Sequence, residues 1–315
     1  MRRLIIRRLA QGVLTLWAVS VLIFVGTEIL PGDAAQAILG QYATPEHIAA
    51  LRTQMGLDRP ALVRYLSWLA DLLRGDLGTS LSSGADISVM VSDRFSNTLL
   101  LAAMTAVLAV PLAIGTGLLA AMHPGSHLDR FVTLSTLCVI SVPEFFTAAA
   151  LVLVLAVNLG WVPAISYITE FETMGQLLRS LAIPILTLTF AVLAHMARMT
   201  RAAVINVIRS PYIEMAVLSG VPRYRIILRH ALPNAVGPIA NVVAINLAYL
   251  VSGVVVVEVM FAYPGLAKLM VDAVSLRDMP LVQSCAMIFC TAYILLLLAA
   301  DIMAILANPR LRHPS

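Results

Sequence analysis

Charge is what this sequence has least of. Charged residues make up 12% of its 315 positions, hydrophobic ones 60%, and the mean hydropathy is +0.91. A soluble globular chain carries about twice that share of charge, roughly 25%. The deficit excludes an ordinary soluble domain and leaves an integral membrane protein. Aromatic residues are few, at 6%, and no alternating apolar–polar pattern runs through the chain, so a β-barrel is excluded. Lysine is nearly missing too. Lys268 is the single lysine among 21 basic residues, and no GxxxxGK[ST] occurs. A phosphate-cradling loop of that kind is therefore absent, and with it ATP hydrolysis by that chemistry. The cysteines Cys138, Cys285 and Cys290 lie in apolar runs with neither CxxC spacing nor a neighbouring histidine. They read as small buried apolar residues, not as a metal site or a disulfide framework. There is no HExxH and no GxSxG, and His195 and His230 have no paired nucleophile or carboxylate in sequence. No active site is expected in this chain, and no metal or cofactor of its own.

What the chain has is length of apolar run. Six stretches meet the requirement of about 20 mostly apolar residues for crossing a bilayer, near 9–30, 98–121, 131–157, 181–200, 235–257 and 285–307. The first exceeds the 7–15 residues of a signal-peptide core and is read as an uncleaved helix. Orientation follows the basic residues. With the N-terminus inside, the cytosolic segments hold 13 arginines against two acids, Asp129 and Glu214. Both termini are then cytosolic. This topological placement accounts for the net charge of +4 without invoking nucleic acid.

Between the first two spans, Thr44-Pro45-Glu46 reads as a helix start and Gly56 as its stop. A second start follows at Asp58-Arg59-Pro60. Leu62, Leu66, Leu69 and Leu73 then form one stripe, ended by Gly75. This amphipathic helix is expected to pack on the bilayer surface or the spans, or to offer a face to an extracytoplasmic partner. The third span is interrupted by SVPEFF, which puts the ionisable Glu144 inside the membrane, where it should face a cavity or a partner. Glu144, Asn241 and Asn246 are candidates for a polar substrate path; each also suits a helix–helix hydrogen bond. Glu258 is placed at the outer boundary of the fifth span. Asp301, in the sixth, suits an anchor for an arginine such as Arg310.

The stretch from Arg198 to Pro238 is the one long polar interruption in the C-terminal half, with six arginines and one acid, Glu214. Pro211 breaks the extension of the fourth span. Tyr212 to Ser219 is predicted as a short helix, Gly220 as its left-handed stop, and Pro222 as the start of a second helix. On physical grounds alone this is either a basic loop obeying the positive-inside rule or a rigid lever held between two spans.

The order of residues here resembles the EAA loop of bacterial ABC-importer permeases: Glu214, Met215 and Ala216, then Gly220, then His230, Leu232 and Pro233. Met215 stands where the pattern has alanine, and His230 where it has isoleucine. PGD at 31–33, GLDRP at 56–60, GDLGTS at 75–80, LGWVPA at 159–164, RMTRAA at 198–203, RHALPNA at 229–235, VVVEVMFAYPGL at 255–266 and NPRLR at 308–312 are similar, in order, to the dipeptide/oligopeptide/nickel branch. The resemblance implies an all-α integral membrane protein with six transmembrane helices and a type I importer (MetI-like) core. It implies a transmembrane permease subunit in the bacterial inner membrane, forming half of a translocation pore. Its implied partners are a second permease, two cytosolic ATP-binding subunits that hold ATP and Mg, and an extracytoplasmic substrate-binding protein. ATPase coupling would rest on Tyr212, Glu214, Met215, Ala216, Ser219, Gly220, Arg223 and Arg225. The chain divides on this reading into 1–97, a permease core 98–309 with coupling loop 201–234, and a tail 310–315. The rival class is an ion- or proton-coupled secondary transporter, which gives no reason for such a loop. A receptor or scaffold that transports nothing is a further rival.

Overall fold

The structure is a computed structural model that describes residues 2–29, 44–54, 56–166 and 173–307. Along the chain these form α1 Arg2–Ile29, α2 Pro45–Gln54, α3 Ala61–Arg74, α4 Ile87–Met122 and α5 His127–Ser141. Next come α6 Glu144–Leu151, running on as wide π-helical turns over Val152–Asn158, then α7 Met174–Ile208 and α8 Pro211–Leu218. A single turn, α9 Arg223–Arg225, widens into π-helical turns over Ile226–Ala231 and continues into α10 Leu232–Gly253. The series closes with α11 Val255–Met260, α12 Leu266–Ser275 and α13 Met279–Ala307. Among the described residues the one extended pairing is an isolated bridge between Thr79 and Asp86.

Local chemistry explains the boundaries. Thr173 caps α7 by accepting from the Gln176 N–H at 3.3 Å, while the Gln176 side chain accepts from the Thr173 N–H at 3.2 Å. Together they satisfy two of the orphan donors of a helix start. Ser126 caps α5 in the same way, accepting from Asp129. Gly75 ends α3 at φ 83°, in the left-handed region that glycine enters without steric cost.

Among the described residues, five stretches are long and apolar enough to cross a membrane: Ile5–Ile29, Ile87–Met122, Met174–Ile208, Leu232–Met260 and Met279–Ile302. The remaining expected span, 131–157, is not one rod. It is two helices, α5 and the α6 segment, meeting at 99°. Pro143 cannot donate to the turn before it, and Val142 turns extended at φ −93°, ψ 125°.

By contacts the chain forms two compact units. One comprises residues 1–9, 99–263 and 295–315. Its centre is α7, whose Leu181, Ile183, Leu188, Val192, Met196, Ala197 and Val204 are buried, packed chiefly against α5 and α10. Gly117 of α4 sits so close to α7 that a β-carbon there would lie 2.5 Å from the Ala197 carbonyl oxygen. Only a residue with no side chain permits that approach. Arg8 pairs with Asp301 at 3.2 Å, so the start of α1 lies beside the end of α13. Asp301 thus has Arg8 as its partner; Arg310 lies outside the described residues.

The other unit comprises residues 10–98 and 264–294. Here α3 packs on α1 through Phe24, Tyr65 and Trp68, whose ring centroids lie 5.4 to 6.1 Å apart. The Leu62, Leu66 and Leu73 side of α3 is exposed. Asp278, in the turn before α13, is buried and accepts from the Ser80 hydroxyl at 2.6 Å, the Ser82 hydroxyl at 2.9 Å and the Ser82 N–H at 3.1 Å. Burial on its own would raise this carboxyl. The hydrogen bonds from Ser80, Ser82 and Leu81 outweigh it and hold Asp278 below the ordinary carboxylate value.

Candidate functional site

The polar stretch between α7 and α10 folds as a compact knot. Arg209 ends α7, and Pro211 opens α8 one residue ahead of the expected start at Tyr212, as suits a residue with no N–H to lose. Ile213 on the underside of α8 is 1% exposed and packs with Ile226 and Ala231 from the following turns. Val207, Ile208, Ala216 and Val221 surround this small core. Gly220 takes φ 74°, and the Val221 N–H then reaches back to the Ala216 carbonyl at 3.2 Å. That is the left-handed helix stop expected from the sequence. The second helix differs from expectation: after one turn at Arg223–Arg225 it widens, and the Leu232 N–H bonds the Ile227 carbonyl five residues back.

The knot turns polar and large side chains outward. Tyr212, Glu214, Met215, Leu218, Ser219, Gly220 and Arg225 are exposed, with Met215 at 64% and Leu218 at 75%. Ala216 is half-buried against the small core. The side chains of Arg223 and His230 lie outside the described residues. The structure therefore brings the described coupling candidates onto one short helix and the turn after it. Leu218 joins them, with no pattern in the sequence to single it out.

At the root of the knot a polar clamp fixes α7. Arg201 donates to both oxygens of the Asp129 carboxylate, at 2.5 and 2.8 Å. Asp129 also accepts from the Gly125 N–H at 2.9 Å. Its side chain is 6% exposed, so removing Arg201 strands a buried charge. The pair lies 72 residues apart, and nothing in local sequence signals it.

A second polar feature lies where α5 bends into α6. Glu144, in the first turn of α6, accepts from the Tyr249 hydroxyl of α10 at 2.8 Å. Beside it is a cavity of about 220 Å³, lined among others by Thr187 and His195 of α7. Of the three path candidates, only Glu144 lines it. Asn246 is buried and donates to the Val242 carbonyl of its own helix at 2.8 Å, and Asn241 is half-buried away from the cavity. Among the described residues no group of three or more His, Cys, Asp or Glu gathers as a metal site.

Apolar spans, two of them joined through a knotted polar helix pair, define a multi-pass membrane protein. The model of the family described as the binding-protein-dependent transport system inner membrane component matches residues 113–313, and that of its N-terminal region matches residues 1–102. Three relatives are similar over nearly their whole length. One, named as a peptide ABC transporter permease of Sinorhizobium fredii, is 32% identical over 98% of this chain and 99% of its own. A second, named as a peptide transport system permease of Brucella abortus, is 34% identical over 99% and 100%. The third, the glutathione transport system permease of Escherichia coli, is 34% identical over 98% of each chain. The chain belongs to the binding-protein-dependent transport system inner membrane component family and is a transmembrane permease subunit of an ABC importer. This rules out the secondary-transporter and receptor readings.

Proposed function

We propose that this chain forms half of a translocation pore for peptides or related small solutes and takes its driving force through α8. The observation that carries the reading is the knot itself. A two-turn helix with an exposed outer face is fastened by Ile213 to its own small core, follows α7 after one short turn, and leads through α9 and its π-helical turns into α10. Such a helix moves as a rigid piece, so a push on Tyr212, Glu214, Met215 or Leu218 passes into α7 and α10. In this reading ATP binding closes two cytosolic ATPase subunits, one of which holds α8 in a cleft. Gly220 supplies the turn, while Arg223 and Arg225 brace the docking. ATP hydrolysis belongs to those partners. A second homologous permease completes the pore, and an extracytoplasmic binding protein delivers cargo. The peptide class is supported by the relatives named for peptide and glutathione transport.

The proposed orientation puts both termini and the 201–234 loop in the cytosol of a bacterial inner membrane. The distribution of arginines supports it, and so does the Arg8–Asp301 pair, which holds the first and last spans' ends on one side. The proposed functional division is 1–97, 98–309 and 310–315. Two family matches that part between residues 102 and 113 support the first boundary.

The test is to purify the tagged assembly with its partners and compare it with a Gly220→Val variant. A β-branched residue in the left-handed region is strained by about 1–2 kcal/mol, enough to distort the turn without unfolding the spans. ATP hydrolysis that continues while uptake falls supports the reading. Normal uptake at normal expression counts against it, as does purification of the chain without any P-loop ATPase.

A further inference from the structure

The cavity beside Glu144 is rich in acceptors. Tyr249 has already given its one hydroxyl hydrogen to Glu144, at 2.8 Å. Thr187 has given its hydroxyl hydrogen to the Ile183 carbonyl, also at 2.8 Å. Both residues line the cavity with their hydroxyl hydrogens already given, which leaves those oxygens only acceptor capacity, alongside the Glu144 carboxylate, which as an anion only accepts. His195 and the Thr147 hydroxyl are the polar side chains there able to give as well as take. No lysine or arginine lines the space, and the other walls are apolar, from Val139, Val142 and Ala191. Val139 and Ile140 bring the C-terminal end of α5 to the cavity while Pro143, Glu144 and Thr147 bring the N-terminal turn of α6, so the partial charges of the two helix ends oppose one another. With no lysine or arginine in the lining to pair with the Glu144 carboxylate, an occupant that neutralises it must bring the positive charge. At about 220 Å³ the space suits a chemical group and a short side chain, below the roughly 300–1,000 Å³ of pockets for drug-sized molecules.

We infer that this cavity receives a primary ammonium group of the cargo on its way through the pore. Glu144 pairs with the charge, and the oxygens of Tyr249 and Thr187 take the remaining N–H groups. The inference rests on the permease reading and names the chemistry of one station along the path. It also explains why a carboxylate stands inside a span: its cationic partner arrives with each transport cycle. A merely structural Glu144 would serve only to tie α6 to α10 through Tyr249.

The two roles separate in one substitution. Glu144→Gln keeps the oxygen that accepts from Tyr249 and removes the charge. The assembly, with its partner subunits, is reconstituted in lipid nanodiscs and treated with dicyclohexylcarbodiimide, a membrane-permeant carboxyl reagent. Labelling of Glu144 is quantified by mass spectrometry with trialanine, with N-acetyl-trialanine, and with neither. Labelling without peptide, suppressed by trialanine and unaffected by the acetylated form, supports the inference. Equal protection by both, protection by neither, or a Glu144 that never reacts overturns it. ATP-driven uptake gives the second readout. Because the binding protein is unchanged between the two assemblies, the preference for the free amine over the acetylated peptide should fall about tenfold in Glu144→Gln, as expected for loss of one charge-assisted contact. An unchanged preference with intact transport overturns the inference. If wild type moves neither peptide, the peptide-cargo reading fails, while the labelling result still decides the cavity.

Discussion

The knot at 209–231 and the turn held by Asp278 each thread polar backbone between apolar helices, and they handle the exposed groups in opposite ways. Around Asp278 the carboxylate is buried, and the hydroxyls of Ser80 and Ser82 close on it. The Asp278 charge itself is turned inward, away from any partner. In the knot the fully buried core is small, Ile213, Ile226 and Ala231, and Glu214 and Arg225 face outward beside Met215 and Leu218. One region uses its polar groups to hold itself together. The other spends only a thin apolar underside on stability and leaves a mixed outer face, charged and apolar, for something else to bind. An unsatisfied face on a well-anchored short helix is thus more telling than the number of arginines in the loop.

Substitutions should break that contrast in a definite order. Asp278→Ala should have the largest effect, a loss of about 3 kcal/mol in reversible denaturation of the detergent-purified protein, because several buried donors lose a charged acceptor at once. The buried Ser80 hydroxyl would keep only neutral partners, such as the Ser82 hydroxyl 3.2 Å away. A pH series sharpens the same point. The folded Asp278 carboxyl sits below its ordinary value of 3.8, so its contribution is complete above that value and is lost as pH falls through the folded pKa. Asp278→Asn should flatten this acid limb and leave the neutral plateau lower.

Ile213→Ala should cost about 2–3 kcal/mol locally, by opening a cavity under α8. Hydrogen exchange should rise over 211–231 with little change in α4 or α13; a global rise would mean the knot is part of the main core. Glu214→Gln should be the mildest for the fold, under about 0.5 kcal/mol as for an exposed side chain, yet should weaken retention of the ATPase subunits on an affinity column. Unaltered retention would remove Glu214 from the docking face.

Much of this was legible in the residues. Apolar run lengths located the spans, and Thr44, Gly75, Pro211 and Gly220 marked helix ends because capping and left-handed turns depend on one or two side chains. The knot was readable for the same reason. The bend at Val142–Pro143 was visible as an interruption, but its 99° angle depends on how α5 and α6 pack on α7. Partners far apart in the chain were not readable: Arg201 with Asp129, Ser80 with Asp278, Tyr249 with Glu144. Glu258 shows the same limit. Run length put it at a boundary, and the structure buries it completely. Charge pairing and burial are settled by the approach of helices, and no local pattern encodes that.

The π-helical turns over Ile226–Ala231 have a consequence for the aim of the molecule. A wide turn accommodates one residue more than an α turn, and each residue of an ordinary helix advances the facing by about 100°. That surplus residue therefore acts as an angular spacer between α9 and α10. Deleting it would leave every span and every docking side chain present, yet point the knot at the wrong quarter of the space beneath it.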